Sequence, residues 1–254
     1  KMDWGSLAGL AFGLLAIVLG QTLEGGSIAS ILQPSSLIVV LGGTFSAVLL
    51  QNGIPNLLAG IRMLNRAFKP YDDFYEELKR SIHSWNSTAR VEGFLKLDNL
   101  ISDFPDPFIA KGLRMVVDGV DVQKMREILD IDINSFEREQ HFAIKIWEAA
   151  GGYAPTMGIL GAVLGLTNVM ENISSPDLLG QGIATAFVST IYGVGFANLI
   201  FLPIANKLKQ HLQLELLKRE MLADAFISIR DAEHPKLIEE RMSSYWNHVE
   251  KHDA

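Results

Sequence analysis

The sequence predicts an all-α polytopic membrane protein, with four transmembrane helices and a helical cytoplasmic domain. Three observations predict it. Residues 4–23, 34–53, 149–170 and 178–206 are apolar runs with no Asp, Glu, Lys or Arg, and about 20 such residues cross a bilayer core. Lys and Arg are absent from Met2–Ile61 and from Ile146–Asn206; 13 lie between those stretches and 8 follow them. The charged remainder carries apolar residues at helical spacing. A hydrophobic content of 48% beside 20% charged residues fits neither a bare membrane bundle nor a soluble domain.

In chain order, Lys1 precedes Met2, the expected natural start. The first span covers about 4–23; an acidic Asp3 before it, and no small-residue cleavage site after it, argue against a signal peptide. The second covers about 34–53, with Pro55 at its exit, and the two make a transmembrane hairpin over 2–61. A cytoplasmic helical domain follows over 62–148. Phe74, Leu78, Ile82 and Trp85 form one apolar face there, and Met125, Leu129, Ile133 and Phe136 another. Pro105 and Pro107 break the chain between them. Gly119 and Asp121 mark the start of a helix with no breaker before Gly151, which therefore enters the membrane directly. The second hairpin spans 149–206, with spans of about 151–171 and 181–204 around the polar turn Glu171–Asp177. A helical tail, 207–254, closes the chain. The excess of Lys and Arg marks the cytoplasmic side, so both termini and the middle domain face the cytoplasm.

Several function classes are excluded. Net charge is −7, without the basic footprint of a nucleic-acid binder. With no Cys in the chain, thiol catalysis and thiolate metal sites are impossible. His248 and His252 are the one His pair at helical spacing, in a polar tail where a solvated end outweighs a metal site. No phosphate loop, nucleophile elbow or other catalytic constellation is present, so no enzyme and no cofactor is expected.

The candidate functional residues lie in two places. In the third span Ala154, Gly158, Gly161, Gly165 and Asn168 fall on one helical stripe, and in the fourth Gly182, Ala186, Thr190, Gly193 and Ala197 do so. Small residues let helices approach in lipid, so packing alone is one reading. The other is that Thr190, with Ser189 beside it, lines a path. Periodicity does not separate them. The second place is Ala89–Asp98: Glu92 and Lys96 are spaced to pair along a helix, whereas Arg90 and Asp98, about 12 Å apart along it, are free for another element or protein. No span holds a charged side chain. A relay carboxylate for ion movement must then come from elsewhere.

With these residues the chain resembles the MotA/PomA family, the larger subunit of the bacterial flagellar stator, in the MotA/TolQ/ExbB superfamily. ARVEGFLKLDN resembles the family's rotor-facing motif, with Arg90 at its basic position and Asp98 where Glu is usual. APTMGILGAVLGL and TIYGVGFANLIFLPIANKL resemble its third and fourth spans, with Pro155 and Pro203 at its two prolines. HPKLIEE resembles a tail motif whose usual Arg is here Lys236. The resemblance covers almost the whole length. It implies an inner-membrane ion-conducting stator subunit: a ring of five copies around two of a smaller MotB or PomB partner, which brings an Asp-bearing helix and a peptidoglycan anchor. The ring drives the rotor protein FliG through Arg90, Asp98 and Lys236, and Pro155 and Pro203 couple ion occupancy to movement. Sodium-type members place Thr in GxxGT of the third span and a Thr pair in the fourth. Ala162 and Ser189–Thr190 stand at those sites, which favours protons over sodium. An ExbB/TolQ-like energiser of outer-membrane processes is the alternative; it normally has three spans and lacks the Arg90–Asp98 patch.

Overall fold

The computed structural model describes residues 3–70, 75–102 and 104–250. Lys1, Met2, Phe74 and His252 lie outside them. The described residues form helices joined by short turns and loops, with no strand among them, and the chain divides into two compact units, Lys1–Pro70 with Gln140–His211, and Tyr71–Glu139 with Leu212–Ala254. Trp4–Leu23, Pro34–Ala67, Val122–Glu171 and Leu178–Arg230 are each long and apolar enough to cross a membrane.

The first, membrane unit opens with α1, Trp4–Leu23, started by the Asp3 carboxylate, which accepts a hydrogen bond from the Gly5 N–H at 3.0 Å. No residue of α1 is buried. An apolar helix with no covered face is stable only in lipid. Glu24 and Gly25 (φ +79°) end it. The helix α2, Pro34–Ala67, begins with Pro in its first turn, where a missing N–H costs nothing. It passes through a π-helical turn at Ile38–Gly42, then loses helical geometry at Gly53 (φ 73°, ψ 167°), two residues before Pro55. Only glycine takes that conformation without strain.

The unit also holds the second half of a 50-residue helix, Val122–Glu171, and the paired helix Pro176–Phe196. The latter continues through a π-helical turn, Ala197–Phe201, into Leu202–Arg230. Trp147 donates its ring N–H to the Gly60 carbonyl at 3.0 Å. Gly60 permits that approach, because a Cβ there would lie 2.8 Å from Ile146 and 2.9 Å from the Ala143 carbonyl. Phe45, Trp147 and Phe196 surround Phe201 with ring centroids 5.8–6.2 Å away.

The second, polar unit begins with α3, Tyr75–Val91, whose Leu78, Ile82, Trp85 and Ala89 are buried. Trp85 stacks on Phe226 at 5.6 Å, and Gly112 makes room for that ring: a Cβ there would sit 2.1 Å from it. The sequence expects one helix over Ala89–Asp98. The structure corrects this. α3 stops at Val91, Gly93 turns the chain at φ +90°, Phe94–Leu97 forms a 3-10 turn, and Asp98 opens a one-turn helix, α4, Asp98–Ile101. Glu92 and Lys96 therefore have no shared helical register, and the 12 Å helical separation of Arg90 and Asp98 does not apply.

The helix α5, Pro107–Val117, is capped by Asp106, which accepts from the Phe108 N–H at 2.9 Å. After Gly119 (φ +70°), Asp121 accepts from the Gln123 N–H at 3.1 Å and so starts α6, the helix Val122–Glu171. Met125, Leu129 and Ile133 are buried, while Phe136 is half-covered by the Arg219 guanidinium 3.8 Å above its ring. With Pro176–Phe196 as α7 and Leu202–Arg230 as α8, the last helix, Pro235–Glu250, is α9. Lys79 of α3 holds Glu239 of α9 at 3.1 Å.

Candidate functional site

The membrane unit is organised by a seam of small residues between α6 and α7. A Cβ on Gly193 would lie 2.6 Å from the Ala154 carbonyl and 2.9 Å from the Gly158 Cα. One on Gly165 would meet the Ala186 N–H and the Gly182 carbonyl at 2.9 Å, and one on Gly158 the Ser189 carbonyl at 2.8 Å. The two backbones touch along about three turns, as packing without a hydrophobic driving force requires. The packing reading of the stripes therefore holds for Ala154, Gly158, Gly161, Gly165, Gly182, Ala186 and Gly193.

The register of α7 differs from the one expected. The hydroxyl in the seam is Ser189, fully buried, with no hydrogen-bond partner for its Oγ. Thr190, one residue or about 100° further round, is exposed and donates its hydroxyl to the Ala186 carbonyl at 3.3 Å. Ala162 is half-buried. Ser189 and Thr190 thus present their oxygens to different surroundings, which adjacency in sequence does not reveal.

Pro155 lies within the unbroken α6, half-buried, one residue from the seam's Ala154. Its missing N–H leaves the Gly151 carbonyl without its helical donor. Pro203 is exposed in the first turn of α8, directly after the π-helical turn, and deprives Leu199 in the same way. Sequence reasoning missed two polar tethers in this unit. The Tyr192 hydroxyl donates to the Ile31 carbonyl at 2.5 Å and accepts from the Gln33 N–H at 3.2 Å. Lys207 pairs with Asp3 and donates to the Ser6 hydroxyl. Each joins residues more than 150 apart, and neither has a local signal.

In the polar unit Arg90, Asp98 and Lys236 are all exposed. Arg90 donates from Nη1 to the Glu233 carbonyl at 3.3 Å, so it meets the loop that leads into α9 three residues before Lys236. Behind that loop Asp224 receives Arg126 at 3.1 Å and Arg241 at 3.8 Å, and Arg241 also reaches Glu233 at 3.6 Å. Burial and the nearby Asp224 and Glu220 carboxylates push the Tyr245 phenol up to about 12. The network fixes α9, and with it Lys236, against α8.

Four long apolar helices, two of them joined by a close-packed seam of small residues, define a polytopic membrane protein. The chain belongs to the MotA/TolQ/ExbB proton channel family, whose model matches residues 101–221. Motility protein A of Bacillus subtilis (strain 168) is 32% identical over 96% of this chain and 91% of its own. Chemotaxis protein PomA of Vibrio alginolyticus is 30% identical over 97% and 96%. The chain also resembles the flagellar MotAB stator complex from Bacillus subtilis, with a TM-score of 0.84 and 32% identity over 92% of each chain. MotAB of C. jejuni shares the fold, with a TM-score of 0.90 at 24% identity over 96% of each. The chain is a flagellar stator subunit.

Proposed function

We propose that the chain conducts protons together with a MotB- or PomB-type partner and turns their flow into torque on the rotor. The observation that carries this reading is the absence of charge from the four spans. With no Asp, Glu, His, Lys or Arg in any of the four spans, the group that takes up and releases the ion is a carboxylate of another chain, since intramembrane carboxylates are the usual relays. The solved relatives that the chain resembles are MotAB assemblies. Five copies ringed around two partner helices bring α6 and α7 to the inside, with the exposed Thr190 turned to the partner.

The same geometry supports protons as the coupling ion. Sodium needs several oxygens in place of its water. Ala162 has no side-chain oxygen, and the Ser189 hydroxyl lies in the seam, away from the face of Thr190. That face offers one hydroxyl, whose proton goes to Ala186; a proton needs only the partner's carboxylate and a hydrogen-bonded route. Outside the membrane, Arg90, Asp98 and Lys236 form the surface that pushes FliG. The Lys- and Arg-rich segments support a cytoplasmic polar unit and cytoplasmic termini, and the likeness to flagellar stator proteins supports an inner-membrane location. Swimming speed in potassium medium without sodium tests the ion. Undiminished swimming supports protons; arrest, with recovery in proportion to added sodium, overturns them.

A further inference from the structure

At the end of the membrane unit that carries the turn after Glu171, a cleft of about 410 Å³ opens between the start of α2, the last turns of α6 and the first half of α7. Its polar lining includes Ser35, Ser36, Asn168, Asn172, Gln181, Thr185 and Ser189. Its oxygens are biased toward accepting. Ser36 gives its hydroxyl proton to the Thr185 carbonyl at 3.2 Å, and Thr185 gives its own to the Gln181 carbonyl at 2.9 Å. Asn172 spends an amide proton on the Asn168 carbonyl at 2.9 Å. The lone pairs of these groups remain.

At the inner end of the cleft stands the Ser189 hydroxyl, fully buried and without a partner. A buried hydroxyl left unpaired costs about 1–3 kcal/mol, so a group that satisfies it is expected. The space beside it is kept open by Gly161, where a Cβ would fall 2.7 Å from the Ser189 oxygen. The cleft is polar and far larger than the roughly 30 Å³ a water occupies in the liquid. Among the described residues no carboxylate lines it, and divalent cations take charged oxygen ligands.

We propose that the cleft is a hydrated vestibule inside each subunit, holding a cluster of water molecules that runs from the α6–α7 turn inward to Ser189. It is separate from the Thr190 face. As a purpose it rests on the ion-conducting reading above: water held there brings a hydrogen-bonded chain halfway along the seam, to a point two helices share. As a physical site it stands on the lining, the volume and the unpaired hydroxyl.

The chain has no cysteine, so single-cysteine variants give an unambiguous probe. Ser189→Cys, Gln181→Cys and, as an exposed apolar control, Leu15→Cys are expressed in whole cells. Each is treated from outside with a small, membrane-impermeant methanethiosulfonate. Only the thiolate reacts, and it forms only where water reaches, so a hydrated Ser189→Cys is labelled at least ~10-fold faster than Leu15→Cys and more slowly than Gln181→Cys at the mouth. Labelling of Gln181→Cys with Ser189→Cys as inert as Leu15→Cys means a dry inner end and overturns the vestibule. Labelling of neither means a closed cleft and overturns it as well. If Ser189→Cys fails to accumulate, Thr185→Cys reports on the same wall. The readout needs no rotation, so a dry cleft leaves the stator reading intact, and a failure to drive rotation leaves the labelling result intact.

Discussion

Gly193 and Gly195 lie two residues apart in α7 and offer a direct test of the seam. In Gly193→Ala the new Cβ would meet the Ala154 carbonyl at 2.6 Å, about 0.8 Å inside ordinary contact, with the Gly158 Cα at 2.9 Å and its N–H at 3.1 Å. All three are main-chain atoms, so no side chain can turn aside and the helices must separate. Overpacking of this kind costs about 1–3 kcal/mol. The upper end is expected here, because separation also loosens Gly158 against Ser189 and Gly165 against Gly182. Gly195 has nothing within 4 Å of the equivalent position. Its replacement by Ala removes only the entropy penalty of a helical glycine and stabilises by about 0.5–1 kcal/mol. The assay is the denaturant midpoint of the purified chain in detergent, followed by tryptophan fluorescence. The two variants should move the midpoint in opposite directions, about 3.5–4 kcal/mol apart. If Gly193→Ala stays within 0.5 kcal/mol of the parent, or both shift alike, the seam is not a close backbone contact.

Three further outcomes follow from the polar unit and the prolines. Arg90→Glu and Asp98→Lys should lower torque in tethered cells at normal membrane levels. Both side chains are exposed, and such changes stay within about 0.5 kcal/mol; loss of the protein from the membrane would instead make the Arg90–Glu233 bond structural. Pro155→Ala and Pro203→Ala restore the helical donors to Gly151 and Leu199, so both variants should accumulate but rotate slowly, and wild-type torque from both would remove the coupling role. Tyr245 gives a pH signature. Its folded value of about 12 lies above the ordinary 10, so its contribution to stability is complete below pH 10 and is lost as pH rises toward 12. Denaturant unfolding of Tyr245→Phe should lack that alkaline loss, and parallel curves for the two proteins would place the phenol in solvent.

Much of the architecture was legible because it rests on local, one-dimensional signals. Charge-free runs mark helices that cross the membrane, and Asp121 caps a helix as a short polar residue before an apolar period does. Two details of register and helix length differ from the sequence reading, for different reasons. A stripe through Gly182, Ala186 and Gly193 accepts either Ser189 or Thr190 at helical spacing, and the choice turns on where the Ala154–Gly158 backbone lies. Sequence periodicity holds no information on that. Within Ala89–Asp98 the charge spacing suggested one helix, but Gly93 supplied a competing signal, since a lone glycine tolerates the positive φ that ends α3. The tethers Asp3–Lys207 and Tyr192–Ile31 were invisible because no short-range pattern announces a pair 160 or 200 residues apart.

The account stands or falls on a carboxylate borrowed from a second chain. A stator-less strain is given this protein alone, its partner alone, or both, and rotation of tethered cells is recorded beside proton uptake by their energised membranes. The expected result is rotation and proton flow with both chains and neither with one. Proton flow through this chain alone would contradict it, because four spans without a carboxylate would then suffice.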